Sequence, residues 1–357
     1  MNQEVQRRIV GVDLLRIVSM MLLVLLNLLT QGGITDGAAE GSISRIVLTV
    51  IECAAYCALD AYALASGYAG GTSDYTRLIL LWLQTLFYSF LLTLLLRWAY
   101  PETLGKAELL RSCFPLFSGQ YWYFTAFFGL LLLKPILDFG LQMLSGGQLK
   151  LIAAALLLFT SLLPTLLNSD LFLLHGGYSV LWFVVLYVLG AYLYRCDPLH
   201  KLNAAFLLLM FAAFTALTCG EKLFWTVKLT DGGGFTLLSL NSPTLTAQAM
   251  ILTLLCARVR NPSAMLEKWT GIIAPLTFGV YLLHTHPQLW RLVFWKGCFG
   301  AWADMPLLLL LPIVLVVSVG VFLVCASLDC LRMALFRLLK LETRLSKFEI
   351  KITSILK

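Results

Sequence analysis

The residues best placed to do chemistry lie inside long apolar runs: Asp13, Arg16, Asn27, Glu52 and Asp60, and the group His284-Thr285-His286-Pro287 at the end of another run. An ionisable side chain costs ~2.5–3.5 kcal/mol at the centre of a membrane helix on insertion scales, so such groups are seldom kept without a use. Asp13 and Arg16 are three apart, the spacing of an intrahelical salt bridge that reaches back to the membrane surface. Arg16 and Asn27 are eleven apart, and eleven steps of ~100° return to within ~20° of the same face, ~16 Å along the helix. One stripe therefore carries a guanidinium that could bind a phosphate or pyrophosphate bidentately and, further on, an amide. Hydrogen bonding between helices would suit Asn27 equally well. A histidine of ordinary pKa, ~6.5, can take a proton from a hydroxyl or carry an acyl group. Pro287 is expected to stop its helix and free His286. The two histidines point ~200° apart on a helix, and no cysteine completes a set with them, so no metal is expected.

The elements that position these groups are membrane helices. Hydrophobic residues make up 60% of the 357 and charged residues only 13%, with mean hydropathy +0.86, so lipid must be the main solvent. A span needs roughly 20 apolar residues. Ten runs answer that description, at about 9–29, 45–67, 78–97, 121–140, 150–167, 177–195, 203–219, 243–259, 271–289 and 306–328. The first is too long for a secretory signal, carries Asp13 and Arg16, and has no small-residue cleavage site after it. With the N-terminus inside, 17 of the 26 Lys and Arg fall in cytoplasmic segments and 8 outside, with Arg16 in the first span. That bias predicts cytoplasmic termini. Net charge +7 then reflects orientation and contact with anionic lipid rather than nucleic acid.

The expected fold is all-α, a single bundle over residues 1–328 followed by a basic amphipathic cytoplasmic tail, 329–357. The outer loops 98–120 and 220–242 are expected to be mobile over the external mouth, the second through Gly232-Gly233-Gly234. The nine cysteines read as small buried hydrophobes. In this frame Glu52 lies at the depth of Asn27 and His284. Asp60 and a turn at Ser66-Gly67-Tyr68 lie at the depth of Arg16. A wet passage lined by the first, second and ninth spans would join the two sets.

The first run, GVDLLRIVSMMLLVLLNLLTQGG, resembles the opening of the acyltransferase-3 family, whose signature is an arginine, ten residues and a histidine. The resemblance continues through CALDAYALASGYAGG, QYWYFTAFFGLLLLKPIL, GYSVLWFVVLYVLGAYLYR and LTFGVYLLHTHP, in order, over nearly the whole chain. It implies an integral membrane enzyme that moves an acyl group, commonly acetyl, from cytoplasmic acyl-CoA to a hydroxyl of a cell-envelope or exported carbohydrate. By position Arg16 matches the motif arginine and is expected, with Asp13, to hold the donor. Asn27 stands where the family has its histidine. An amide cannot be a general base, so His284, with Glu52 and His286 as other candidates, is expected to replace it, and Asn27 to hydrogen-bond the acyl oxygen. Tyr121, Trp122, Tyr281 and His286 are expected to contact substrate. Two other functions fit the frame: a catalytically inactive relative that binds or regulates envelope-assembly partners, and a transporter or flippase. The second suits less well without paired interrupted helices.

Overall fold

The computed structural model describes residues 8–71, 75–228, 237–259, 261–292 and 297–355. Gly232-Gly233-Gly234, and Arg7, Arg260, Lys296 and Lys357 of the charge pattern, lie outside them. Among the described residues there is no strand, and seven helices are long and apolar enough to cross a membrane. The architecture is that of an all-α polytopic membrane protein.

In chain order the helices that matter here are α1 (Val10–Thr30), α2 (Ile43–Ala55), α3 (Ala58–Ala69), α4 (Tyr75–Ala99), α5 (Trp122–Met143) and α6 (Gly146–Leu156). A π-helical turn, Leu157–Leu162, extends α6 into the short helix Leu163–Leu167. Then come α7 (Val180–Cys196), α8 (Ala204–Lys228), α9 (Pro243–Ala257), α10 (Ala264–Ile273), α11 (Thr277–His284), α12 (Leu307–Leu338) and α13 (Leu341–Ile355). Helices occupy all ten apolar runs. Seven helical segments among the described residues are long and apolar enough to cross, whereas α7 and α9 are shorter apolar helices. The ninth run is broken into α10, a 3-10 turn at Ala274–Leu276 that holds Pro275, and α11.

Lipid tails are as apolar as leucine, so these helices are held together by close packing and polar contacts rather than by the hydrophobic effect. The sequence supplies small residues where helices touch. Gly67 on α3 lies against the Tyr187 carbonyl on α7, where an added Cβ would come within 2.0 Å of that oxygen. Gly190 makes the reciprocal approach to the Leu64 carbonyl, at 2.4 Å, and Gly11 brings α1 onto Cys256 of α9. Ser66-Gly67-Tyr68 is therefore helical, and the second crossing breaks earlier, at Tyr56-Cys57 between α2 and α3. The core follows α1, α3, α5, α7 and α11, with Leu15, Val24, Leu64, Phe124, Leu186 and Leu282 buried in it.

Beyond residue 328 the chain stays helical: α12 continues unbroken to Leu338 and α13 follows. Glu349 of α13 caps the start of α4, accepting from the Tyr75 and Thr76 amides at 3.2 and 3.1 Å.

Candidate functional site

Two polar sets sit at opposite ends of α1, as the spacing of Arg16 and Asn27 requires. The Asn27 end is the better defined. α11 ends at His284, whose Nδ1 lies 2.6 Å from the Val280 carbonyl one turn back. A carbonyl can only accept, so Nδ1 carries the proton and Nε2 presents its lone pair. That lone pair meets Asn27 Nδ2 at 3.2 Å. The amide thus donates to the imidazole. Asn27 is 6% exposed and His284 4%. Trp290 fixes the end of the helix from outside by donating its indole N–H to the His284 carbonyl at 2.8 Å.

His286 is turned inward. Its Nδ1 accepts the Gln288 amide at 3.2 Å, which makes the imidazole the cap of the short helix Pro287–Leu292, and its Nε2 reaches Thr93 Oγ1 at 3.4 Å. Pro287 begins that helix after the break, as a proline at a first helical position does. Tyr121 packs edge-on to His286, with ring centres 6.0 Å apart, and donates its hydroxyl to the Leu282 carbonyl at 3.1 Å. Tyr281 is buried between Tyr121 and Tyr123. Trp122 is only half-buried and lies 4.3 Å from the ring of exposed Tyr178. Of the aromatic residues singled out in the sequence, Trp122 presents surface that a sugar ring could stack on, whereas Tyr121 and Tyr281 hold the backbone and core behind His284.

The contacts of Glu52 lie elsewhere. Its Oε1 pairs with Lys222 Nζ of α8 at 2.5 Å, at 3% side-chain exposure, and Oε2 has no partner among the described residues. The ion pair ties α2 to α8, and no described hydrogen bond joins Glu52 to Asn27 or His284. Asp60 accepts from the Trp182 indole at 3.1 Å, and its other oxygen is also without a partner there.

At the opposite end, Asp13 is shared by two arginines. Arg8 bonds it closely and also reaches Thr270 Oγ1 at 2.9 Å and the Glu267 carbonyl at 3.2 Å, which fastens the start of α1 to α10. Gly271 leaves room for it, since a Cβ there would sit 2.5 Å from Arg8 Nη1. Arg16 keeps the looser contact with Asp13, 3.5 Å, and a third of its side chain is exposed. Arg16 is accordingly the arginine whose guanidinium can turn to an incoming anion. The Tyr62 hydroxyl lies 3.1 Å from Thr277 Oγ1, the first residue of α11.

Asp329 joins the polar groups of the bundle from a position that carries no distinctive motif in the sequence. It is fully buried, paired with Arg332 at 2.7 Å, and accepts from Gln84 Nε2 at 3.1 Å and the Tyr88 hydroxyl at 2.8 Å. It sits against Gly279 of α11, where a Cβ would lie 2.1 Å from its Cγ. Its i, i+3 spacing to Arg332 repeats that of Asp13 and Arg16, and this was the signal available. Among the described residues no group of three or more His, Cys, Asp or Glu could hold a metal.

Comparison with known proteins supplies a family. The model of the acyltransferase domain family matches residues 9–330, from the residue before α1 into α12. Neither the curated proteins nor the solved structures yield a match. The matched segment takes in Arg16, Asn27, Tyr62, His284 and Asp329 together, and the chain is a multi-pass membrane protein of the acyltransferase-3 family.

Proposed function

We propose that this protein transfers an acyl group, most simply acetyl, from acyl-CoA to a hydroxyl of a cell-envelope or exported carbohydrate, with the Arg16 end facing the cytoplasm and the Asn27–His284 end facing outward. The observation that carries this reading is the Asn27–His284 pair. A neutral imidazole, its Nδ1–H already committed to Val280, offers Nε2 as a base. Arg16, with Asp13 beside it, takes the donor's phosphates. The acceptor stacks on Trp122 and Tyr178.

In the reaction the acceptor oxygen attacks the thioester carbonyl and its proton passes to His284 Nε2. The new C–O bond forms, the C–S bond breaks, and the thiolate leaves as CoA, reprotonated from the imidazolium or solvent. As Nε2 gains its proton it can no longer accept from Asn27. The freed amide N–H then donates to the carbonyl oxygen, on which negative charge is developing. An asparagine in the position of the family histidine thereby keeps a part in the chemistry as a donor, with the base supplied from α11.

A second reading, a catalytically inactive member that binds or regulates envelope-assembly partners, is favoured by the same substitution, because Asn27 itself cannot take a proton. Asn27→His separates the two. Purified native protein that turns over acyl-CoA with a glycan acceptor supports the enzyme; turnover that appears only in the Asn27→His variant supports the inactive relative. Mass analysis of envelope glycans from cells with and without the gene gives the acyl group and the acceptor.

A further inference from the structure

The hydrogen bond between Asn27 and His284 joins two helices, α1 and α11, whose ends need to be held in register for it to form. His284 Nδ1–H donates to the Val280 carbonyl of its own helix, which fixes the ring on α11 and leaves the distance from α11 to α1 open. The Tyr121 bond to the Leu282 carbonyl ties α11 to α5 and does not set that distance either. His284 is the last residue of α11, so its carbonyl meets no donor within the helix. The indole N–H of Trp290 supplies one at 2.8 Å.

The same indole reaches across to α1. It packs against the apolar cluster that Leu28 and Leu29, the two residues after Asn27, form with Ile34, Ala303 and Leu310. The end of α1 is braced from that cluster too. The Gly32 amide donates to the Asn27 carbonyl at 3.0 Å, and the amides of Gly297 and Phe299 donate to the carbonyls of Gln31 and Gly32 at 3.1 and 3.0 Å. Phe299 and Trp302, whose ring centres are 4.5 Å apart, pack against the same cluster. Glycine lets the two segments meet: at Gly33, where φ is +79°, a Cβ would come within 2.8 Å of Gly297 Cα.

We propose that Trp290 is a positioning residue for the acyl transfer, which holds His284 Nε2 in register with the Asn27 amide by tying the end of α11 to the apolar cluster that braces the end of α1. The proposal rests on the acyl-transfer reading and adds to its site a residue that acts through the pair rather than on the substrate. A misplacement of about 1 Å can cost on the order of 10²-fold in rate, so a tie outside the chemistry still governs it.

The test is Trp290→Phe in the full-length protein in nanodiscs, a change that keeps an aromatic ring in the cluster and removes the N–H. In protein with isotope-labelled histidine, the Nε2 resonance of His284, assigned by its loss in His284→Gln, reports whether that nitrogen accepts a hydrogen bond. In Trp290→Phe it is expected to move toward its position in Asn27→Ala. Trp302→Phe alters the same cluster and leaves the Trp290 indole in place, so there the resonance should stay at its native position. In transfer from acetyl-CoA to envelope glycan, Trp290→Phe should lower kcat about 10- to 100-fold, with KM for acetyl-CoA within about twofold of native. Made on Asn27→Ala, the same change should cost less than about threefold more, because the register it sets no longer matters. A native resonance in Trp290→Phe, an equal shift from Trp302→Phe, or additive losses in kcat overturn the proposal. Should Trp290→Phe not fold, the native protein still tests it: the Trp290 indole proton is expected to exchange slowly with deuterium, and exchange as fast as that of an exposed indole overturns the proposal as well. The resonance needs no turnover. The expected shift in protein that transfers no acyl group contradicts the acyl-transfer reading; transfer at the native kcat in Trp290→Phe contradicts this one.

Discussion

Asp329→Asn is the change with the most calculable outcome. Asparagine keeps the shape and an oxygen that can accept from Gln84 and Tyr88, so the substitution removes little but the charge. Arg332, 11% exposed, then keeps a buried guanidinium with no counter-charge from residue 329. Breaking a buried pair from one side costs about 3–5 kcal/mol, most of it the penalty on the charge left behind. Arg332→Gln alone leaves the Asp329 carboxylate in the same position and costs a similar amount. The double variant leaves neither charge, so its loss should be about that of one single variant, a coupling of at least ~2 kcal/mol. The assay is unfolding of purified protein in mild detergent titrated with sodium dodecyl sulfate. Because Asp329 packs on Gly279, the single variants should also disturb α11 and lower acyl transfer in parallel with stability. Additive losses, with coupling under ~0.5 kcal/mol, would mean the pair behaves like an exposed surface bridge and would refute the reasoning.

Lys222→Met should destabilise the protein by about 3–5 kcal/mol by leaving Glu52 unpaired, and adding Glu52→Gln should restore much of that. If the doubly substituted protein also transfers acyl groups at near the native rate, Glu52 is a structural acid; a loss above ~10² in kcat with stability restored would return it to the reaction. Gly67→Ala should cost about 1–3 kcal/mol in the same unfolding assay, because the Tyr187 carbonyl occupies the space of the new methyl. An unchanged midpoint would show that α3 and α7 are free to separate.

The apolar runs and most of the site's components were legible in the sequence, because a 20-residue apolar stretch in lipid has few options other than helix. Breaks within the runs were harder. Tyr56-Cys57 carries neither glycine nor proline, and Pro275, inside the ninth run, marks a break only where the structure places a 3-10 turn. Pairings could not be read at all. Glu52 and Lys222 stand 170 positions apart, as partners chosen by the packing of α2 on α8. Asn27 and His284 were expected at one depth from their helix positions, and they meet at 3.2 Å; which nitrogen carries the proton depended on the Val280 carbonyl, which no spacing reveals. Pro287 predicts a freed His286, yet capping the next helix turns that imidazole into the core. Asp329 was hidden by its place at the start of a charged, apparently amphipathic tail, although α12 carries it as part of the bundle.

The most direct measurement is acyl transfer from radiolabelled acetyl-CoA to envelope glycan by purified protein in proteoliposomes, comparing native protein with His284→Ala and Arg16→Ala. The account predicts native turnover, a fall of about 10²–10⁴ in kcat for His284→Ala with donor binding intact, and loss of acetyl-CoA binding itself for Arg16→Ala. Native turnover that survives His284→Ala undiminished would contradict the account, because no proton acceptor would then be needed beside Asn27.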